Sequence, residues 1–229
     1  MIKIFSTYTK DEIDNQDSGL RVIRNGGPAF FIENILKKNK IKYKMKSQKA
    51  VIKIKIKNGI EKGVLKNKLT TKKLDNIRDN DLVVISTVDD EWIVDKKIFT
   101  KAQIFLDAQG YVRSARRNPK IYEARFWEDI FCLKVNEQEI KELPRGIVNN
   151  QKNKCLIITK GGKGVVIYFE NKKYAIVAKK IKSCDAIGAG DTFFPGFIVG
   201  FIENKGDIIK SGKFAIKEVE NFLLNKKWE

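Results

Sequence analysis

Four short apolar runs, each closing on a polar residue, limit what this chain can fold into more than any other feature. They are Leu82-Val83-Val84-Ile85-Ser86, Ile104-Phe105-Leu106-Asp107, Phe131-Cys132-Leu133-Lys134-Val135-Asn136 and Lys154-Cys155-Leu156-Ile157-Ile158-Thr159. Runs that are apolar at consecutive positions suit strands buried on both faces, as in parallel sheets covered by helices. Residues 91–100, 127–129 and 137–143 are expected to supply helices between them. Strand and helix alternating in this way give a right-handed βαβ series, and open sheets of that type bind ligands at the carboxyl ends of their strands. Asp107, Asn136 and Thr159 stand at such ends.

The remaining chain fits around that sheet. Residues 1–5 alternate like a first strand, and 20–24 form a short second one before Asn25-Gly26-Gly27-Pro28. That turn opens a helix reaching about Lys38, with Pro28 near its first position, where a missing N–H costs nothing. Residues 49–57 alternate lysine with apolar residues, and Asn58-Gly59 turns the chain into a return strand at 60–65. This ribbon has one apolar and one lysine face. Residues 165–169 and 173–177 pair as a hairpin, and 208–225 form an amphipathic helix with Phe214, Ala215, Val219, Phe222 and Leu223 at core spacing. Neither repeat nor linker divides the sequence, so residues 1–229 are expected to form a single domain.

Composition removes several chemistries. The chain has no histidine, so a histidine base, a Ser-His triad and a histidine-ligated zinc are excluded. Cys132, Cys155 and Cys184 lack metal-ligand spacing. The net charge of +18 is carried by lysines spread along the whole length, which reads as solvated faces and attraction of phosphorylated ligands, not as a nucleic-acid partner. The first residues turn polar too soon for a secretory signal, and no apolar run approaches the roughly 18 residues of a membrane helix. A cytoplasmic location without membrane partner is expected.

One stretch stands apart. Asp185-Ala186-Ile187-Gly188-Ala189-Gly190-Asp191-Thr192-Phe193 sets small residues between two carboxylates and runs into an apolar helix. Glycines at 188 and 190 let a phosphate approach the backbone, where the bare N–H groups of a helix start stabilise negative charge. Asp191 then points into the same space. Taken by itself, the stretch also fits a Gly-rich turn with Asp as a helix cap. Asn136 and Glu139 likewise fit a capping pattern.

Together these pieces resemble the PfkB, or ribokinase-like, family of carbohydrate and nucleoside kinases. Residues 185–193 look like its second signature, and Asn136-Glu137-Gln138-Glu139 resembles its Asn-x-x-Glu motif. Residues 159–164, beginning Thr159-Lys160-Gly161, are similar to its Thr-x-Gly-x-x-Gly nucleotide loop, and Gly26-Gly27 to its di-glycine helix start. Asp107-Ala108-Gln109-Gly110-Tyr111-Val112-Arg113 resembles an Asp-x-Gln-Gly-x-x-Arg segment found in some members.

The resemblance implies an αβα sandwich with a mostly parallel sheet and a small β lid built from N-terminal segments. It further implies ATP-dependent phosphorylation of a hydroxyl on a sugar, polyol or nucleoside. In that reading Asp191 is the base, and Gly188, Ala189 and Gly190 form the anion hole. Thr159, Gly161 and Gly164 lie along ATP, and Asp185 holds the loop or a monovalent cation. Asn136 and Glu139 act on Mg2+ through water, and Asp11, Gly26 and Gly27 border the substrate. The uncovered lid strands suit a homodimer. Three features depart from the family: the chain is short, residues 39–48 leave room for little more than a strand and a turn, and Ala186 replaces a common Thr. Pro195, in the second turn of the expected helix, removes the donor to the Asp191 carbonyl and predicts a local kink. Two other classes fit less of the sequence: a kinase-like fold that binds ligand without turnover, and a basic nucleic-acid-binding protein.

Overall fold

The computed structural model describes residues 1–58, 60–93, 101–181 and 186–225. Twelve strands and six helices are named here in chain order: β1 (Ile2–Asn15), β2 (Leu20–Gly26), α1 (Gly27–Lys38), β3 (Tyr43–Lys57), β4 (Ile60–Leu65), β5 (Lys72–Lys73), β6 (Leu82–Ser86), β7 (Trp92–Ile93) and β8 (Gln103–Asp107). Then follow α2 (Gln109–Ala115), β9 (Ile130–Asn136), α3 (Glu139–Glu142), α4 (Arg145–Asn153), β10 (Cys155–Thr159), β11 (Val165–Phe169), β12 (Lys172–Ile176), α5 (Ala189–Glu203) and α6 (Ile208–Asn225).

Among the described residues one sheet holds ten strands in the order β12-β11-β10-β9-β8-β6-β1-β3-β4, with β2 paired to β1. From β10 to β3 every neighbouring pair is parallel. The four apolar runs are β6, β8, β9 and β10, and their consecutive apolar residues are buried because both sheet faces are covered. One face packs Val84, Phe105, Cys132 and Ile157 against α1, α5 and α6. The other packs Val83, Ile85, Leu133 and Ile158 with Tyr111, Val112, Phe126 and Trp127. These are the three layers of an αβα sandwich.

The first and third strands are longer than their sequence suggests. Ile2–Ser6 of β1 pairs with β6 inside the sandwich, while the same strand continues from Thr9 to Asn15 against β2. Strand β3 stays in parallel register with β1 throughout, from Ile2↔Tyr43 to Asn15↔Ile56, and β4 closes the far edge. The extension is a β lid growing directly out of the central sheet. Polar Ser6, Thr7 and Thr9 are buried in β1, which hides the strand from a reading based on apolar alternation.

The expected helix at 91–100 is corrected at its start. Trp92–Ile93 is a strand, and residues 94–100 lie outside the described residues. Glu91 is buried and turned inward: it accepts hydrogen bonds from the Thr7 hydroxyl and from the N–H groups of Val88 (3.3 Å) and Asp89 (2.9 Å). That closes a tight turn where a helix start was expected.

Helix α5 is apolar nearly all round, and residues 192–200 are buried, as a helix enclosed by its neighbours requires. It continues through Pro195 as one element. Its Gly196 and Gly200 lie against α6, where a Cβ at Gly200 would meet the Ser211 Cα at 2.8 Å. Lys38 of α1 reaches Glu218 of α6 at 2.7 Å, joining those two helices of this layer. No described helix is long and apolar enough to cross a membrane.

The close approach of α5 and α6 sets a prediction. Gly200→Val forces backbone against backbone and should cost about 1–3 kcal/mol, read by denaturant unfolding. Gly146→Ala, where a Cβ meets nothing within 4 Å, should leave stability unchanged or slightly raised. Equal effects at the two positions would rule out tight α5–α6 packing.

Candidate active site

Parallel register aligns the strand ends. Ser6 stands beside Ser86, Ser86 beside Asp107, Asp107 beside Lys134, and Asn136 beside Thr159. Backbone pairing alone therefore gathers a row of polar residues along one edge of an apolar sheet.

The centre of that row is an ion pair. Lys134 Nζ lies 2.9 Å from Asp107 Oδ2, with side-chain exposures of 4% and 0%. Asp107 also accepts hydrogen bonds from the Gln109 N–H at 3.3 Å and, at 3.4 Å, from the Ser86 hydroxyl. Burial works against the Lys134 charge, but Asp107, Glu139 and Asp191 around it outweigh that and hold its pKa above the usual lysine value. Such a charge is tolerated inside a protein only when paired and hydrogen-bonded.

Asp191 sits in the first turn of α5, where its half-buried carboxylate accepts a hydrogen bond from Gln109 Nε2 at 3.0 Å. Burial raises its pKa above the ordinary range, and the nearby Asp107 carboxylate adds to the rise. Lys134, Gln109 and Arg113 oppose it. The loop ahead is sterically committed. Gly188 has φ +88°, and a Cβ there would strike the Phe31 ring of α1 at 2.3 Å. The Ala189 N–H already donates to the Ala186 carbonyl at 3.0 Å. That leaves Gly190 and Asp191 as the first-turn amides that no intrahelical carbonyl can reach. A Cβ on Gly190 would lie 3.7 Å from Lys134 Nζ, so the buried ammonium sits directly below this turn.

Asn136 and Glu139 form a reciprocal capping box. The Asn136 side-chain oxygen accepts from the Glu139 N–H at 2.9 Å, while Glu139 Oε2 accepts from the Asn136 N–H at 2.8 Å. A cap and a cation-side pair are therefore compatible in one geometry, since the box engages one of the two Glu139 carboxylate oxygens. Burial raises the Glu139 pKa, opposed by Lys134. Among the described residues no group of three or more acidic or sulfur side chains could hold a metal. A hard cation that keeps several waters and rides on phosphate oxygens fits this sparse donor set, whereas a dedicated protein cage does not.

Thr159, Gly161 and Gly164 lie together at the end of β10. The turn closes through the Lys160 N–H donating to the Gly164 carbonyl at 2.8 Å. Gly164, at φ +94°, would put a Cβ 2.1 Å from the Ile176 carbonyl, so only glycine fits. A cavity of about 320 Å3 runs from Asn136, Thr159 and Gly190 into an apolar slot made by Ala178, Ile181, Ile216 and Leu223. Asp11, Gly26 and Gly27 gather separately at the start of α1. Asp11 is buried, accepts from the Thr9 hydroxyl at 2.6 Å, and lies so close to Gly26 that a Cβ there would sit 2.1 Å from its Oδ2. Asp185 lies outside the described residues.

Lys134 escapes a reading of the sequence alone, and Gln109, picked out there within the Asp-x-Gln-Gly-x-x-Arg segment, is given no role by it. The signal for Lys134 was present: one charge in an otherwise apolar strand, Leu133-Lys134-Val135, must find a buried partner. Gln109 follows a strand end by two residues, and nothing local marks it as a partner of Asp191.

Known proteins resemble this chain in sequence or in fold. The maize (Zea mays) Fructokinase-2 is 29% identical over 105 residues, which cover 42% of this chain and 31% of that one. The match thus spans about a third of the relative's length. A pyrophosphate-dependent kinase in the ribokinase family, complexed with a pyrophosphate analog and myo-inositol, superposes with TM-score 0.74 at 18% identity, covering 99% of this chain and 96% of the other. An uncharacterized sugar kinase from Pyrococcus horikoshii in complex with ATP gives TM-score 0.74 at 16% identity, covering 99% and 93%. These two likenesses establish the ribokinase-like fold. The model of the pfkB family carbohydrate kinases matches residues 61–217, more than half of the 229 residues, and the chain belongs to that family.

Proposed function

We propose that the protein is an ATP-dependent phosphotransferase acting on a hydroxyl of a sugar, polyol or nucleoside. The observation that carries this reading is the placement of a half-buried carboxylate, Asp191, in the first turn of α5 beside Gly190, which lines one end of the cavity. The acceptor hydroxyl gives its proton to Asp191 as its oxygen attacks the γ-phosphorus. The bond to the β–γ bridging oxygen breaks, and ADP leaves with that electron pair. Amides at the start of α5 stabilise the charge gathering on the transferred group, and positioning with electrostatics supplies most of the rate. Asn136 and Glu139 would hold Mg2+ through water, and the ion neutralises phosphate charge when bound. Thr159, Gly161 and Gly164 border the nucleotide. Asp11, Gly26 and Gly27 would face the acceptor, with Asp11 accepting its hydroxyl hydrogens.

ATP is favoured over pyrophosphate as donor because the cavity continues past the phosphate end. A largely apolar slot between Ile181 and α6, with Lys179 and Glu220 also on its lining, suits a purine ring. The edge strand β4 leaves Val64 exposed at 61%, which suits pairing with a second copy through the lid.

Three outcomes follow. With Mg2+ and a panel of sugars, polyols and nucleosides, ATP should support ADP release and pyrophosphate should not support transfer. A panel without any stimulating acceptor would favour a ligand-binding protein instead. Asp191→Asn should lower turnover by at least about 10²-fold while keeping ATP affinity.

The same variant should stabilise the fold. A carboxyl whose folded pKa is raised contributes stability when protonated and loses it as pH rises, so ionised Asp191 is a cost at neutral pH. Asp191→Asn should therefore raise the thermal midpoint at pH 7–8. The gain should shrink below about pH 4, where the aspartate is protonated in both states. In the wild type the acid limb of kcat should lie above the ordinary carboxylate range, and a limb at or below that range would remove Asp191 from the role of base.

A further inference from the structure

We propose that Lys134 is a positioning residue for phosphoryl transfer: its buried ammonium, anchored on Asp107 beneath Gly190, holds Asp191 and the start of α5 in the geometry that transfer requires. The inference rests on the phosphotransferase reading and assigns a role to a side chain outside the strand-end motifs. Lys134 comes from the middle of an apolar strand, and its neighbours Leu133 and Val135 are fully buried. A lysine in such a place is expensive to desolvate. If neutralising Asp107 were its whole purpose, an uncharged hydrogen-bonded pair would serve at lower cost.

The surroundings show what the charge faces. On one side is Asp107, 2.9 Å away, which in turn accepts the backbone N–H of Gln109. Gln109 donates its side-chain amide to Asp191 at 3.0 Å, so anchor and base are joined through one residue. Above it lies the turn of Gly190, close enough that a side chain there would contact the ammonium. Asp107 contacts this interior cation, the Glu139 and Asp191 carboxylates act on it electrostatically, and Arg113 is an exposed residue. Negative phosphoryl oxygens entering the same space would otherwise meet a net negative site. A fixed interior cation stabilises incoming charge without reorganising when the reaction occurs.

The test separates this role from simple charge balance. Lys134→Gln, Asp107→Asn and the double variant are compared with wild type for unfolding, ATP binding by calorimetry and ADP release. Each single variant leaves a buried group without its partner and should be destabilised. The double variant should regain stability and bind ATP within about threefold of wild type, yet keep kcat about 10²-fold low. A double variant whose kcat returns to within about threefold of wild type would show that Lys134 only balances Asp107. Lys134→Arg gives an independent reading that does not need the double variant to fold. By retaining the charge it should exceed Lys134→Gln in kcat by about tenfold or more, and equal rates would overturn the proposal. A wild type without turnover on any acceptor would overturn the phosphotransferase reading and this inference with it. An active wild type with a recovered double variant would overturn this inference alone.

Discussion

A lysine ammonium and an aspartate carboxylate, buried together between β8 and β9, set the terms for the rest of the site. Charges cannot be taken out of water without a partner, and each partner must keep its other hydrogen bonds. Asp107 meets that demand with the Gln109 backbone and the Ser86 hydroxyl, which belong to the next helix and the next strand. Satisfying one buried pair thus fixes the relative positions of β6, β8, β9 and α2. Gln109 carries the constraint across to α5 through Asp191. Buried ion pairs are often no more stabilising than apolar residues of similar volume, so stability alone does not call for ions at 107 and 134.

The sandwich was legible because its strands are buried on both faces and therefore apolar at consecutive positions. Strands β6, β8, β9 and β10 fall where those runs lie, within one residue at each end. The hairpin return at β4 was legible from Asn58-Gly59 for a different reason, that of backbone conformation: Asn58 adopts φ +53°. The lid was less legible. Strand β1 continues through Ser6, Thr7 and Thr9, buried residues whose hydroxyls find partners in Ser86, Glu91 and Asp11. Local patterning cannot anticipate such long-range pairing. It shows only a polar segment after Phe5.

The site was legible where chemistry depends on glycine and illegible where it depends on tertiary approach. Gly164, Gly188, Gly26 and Gly27 are each required by a contact shorter than a Cβ allows, and all four stand out in the sequence as bare backbone. Asn136 and Glu139 read in the sequence both as a cap and as a cation-side pair, and the cap is formed in the structure. A cap fixes the carboxylate by one oxygen, which presents the group as a rigid element. Lys134 and Gln109 reach the site only because the sheet register and the α2 turn deliver them, and no sequence pattern announces that approach.

Helix α1 links the two halves of this arrangement. Its first residues, at Gly26 and Gly27, pack on Asp11, Thr7 and Thr9 of β1, while Phe31, one turn further on, fills the space over Gly188. Its last turn is held to α6 by Lys38 and Glu218. Both ends of α5's loop environment therefore reference one rigid element a few turns long. The spacing between Asp11 and the Gly188 turn then depends on helical rise, about 1.5 Å per residue, and not on loop conformation. Beyond Thr9, β1 leaves the sandwich and pairs only with β2 and β3. Asp11 therefore stands on the part of β1 outside the sandwich, and its contact with Gly26 at the start of α1 ties that extension to the helix layer.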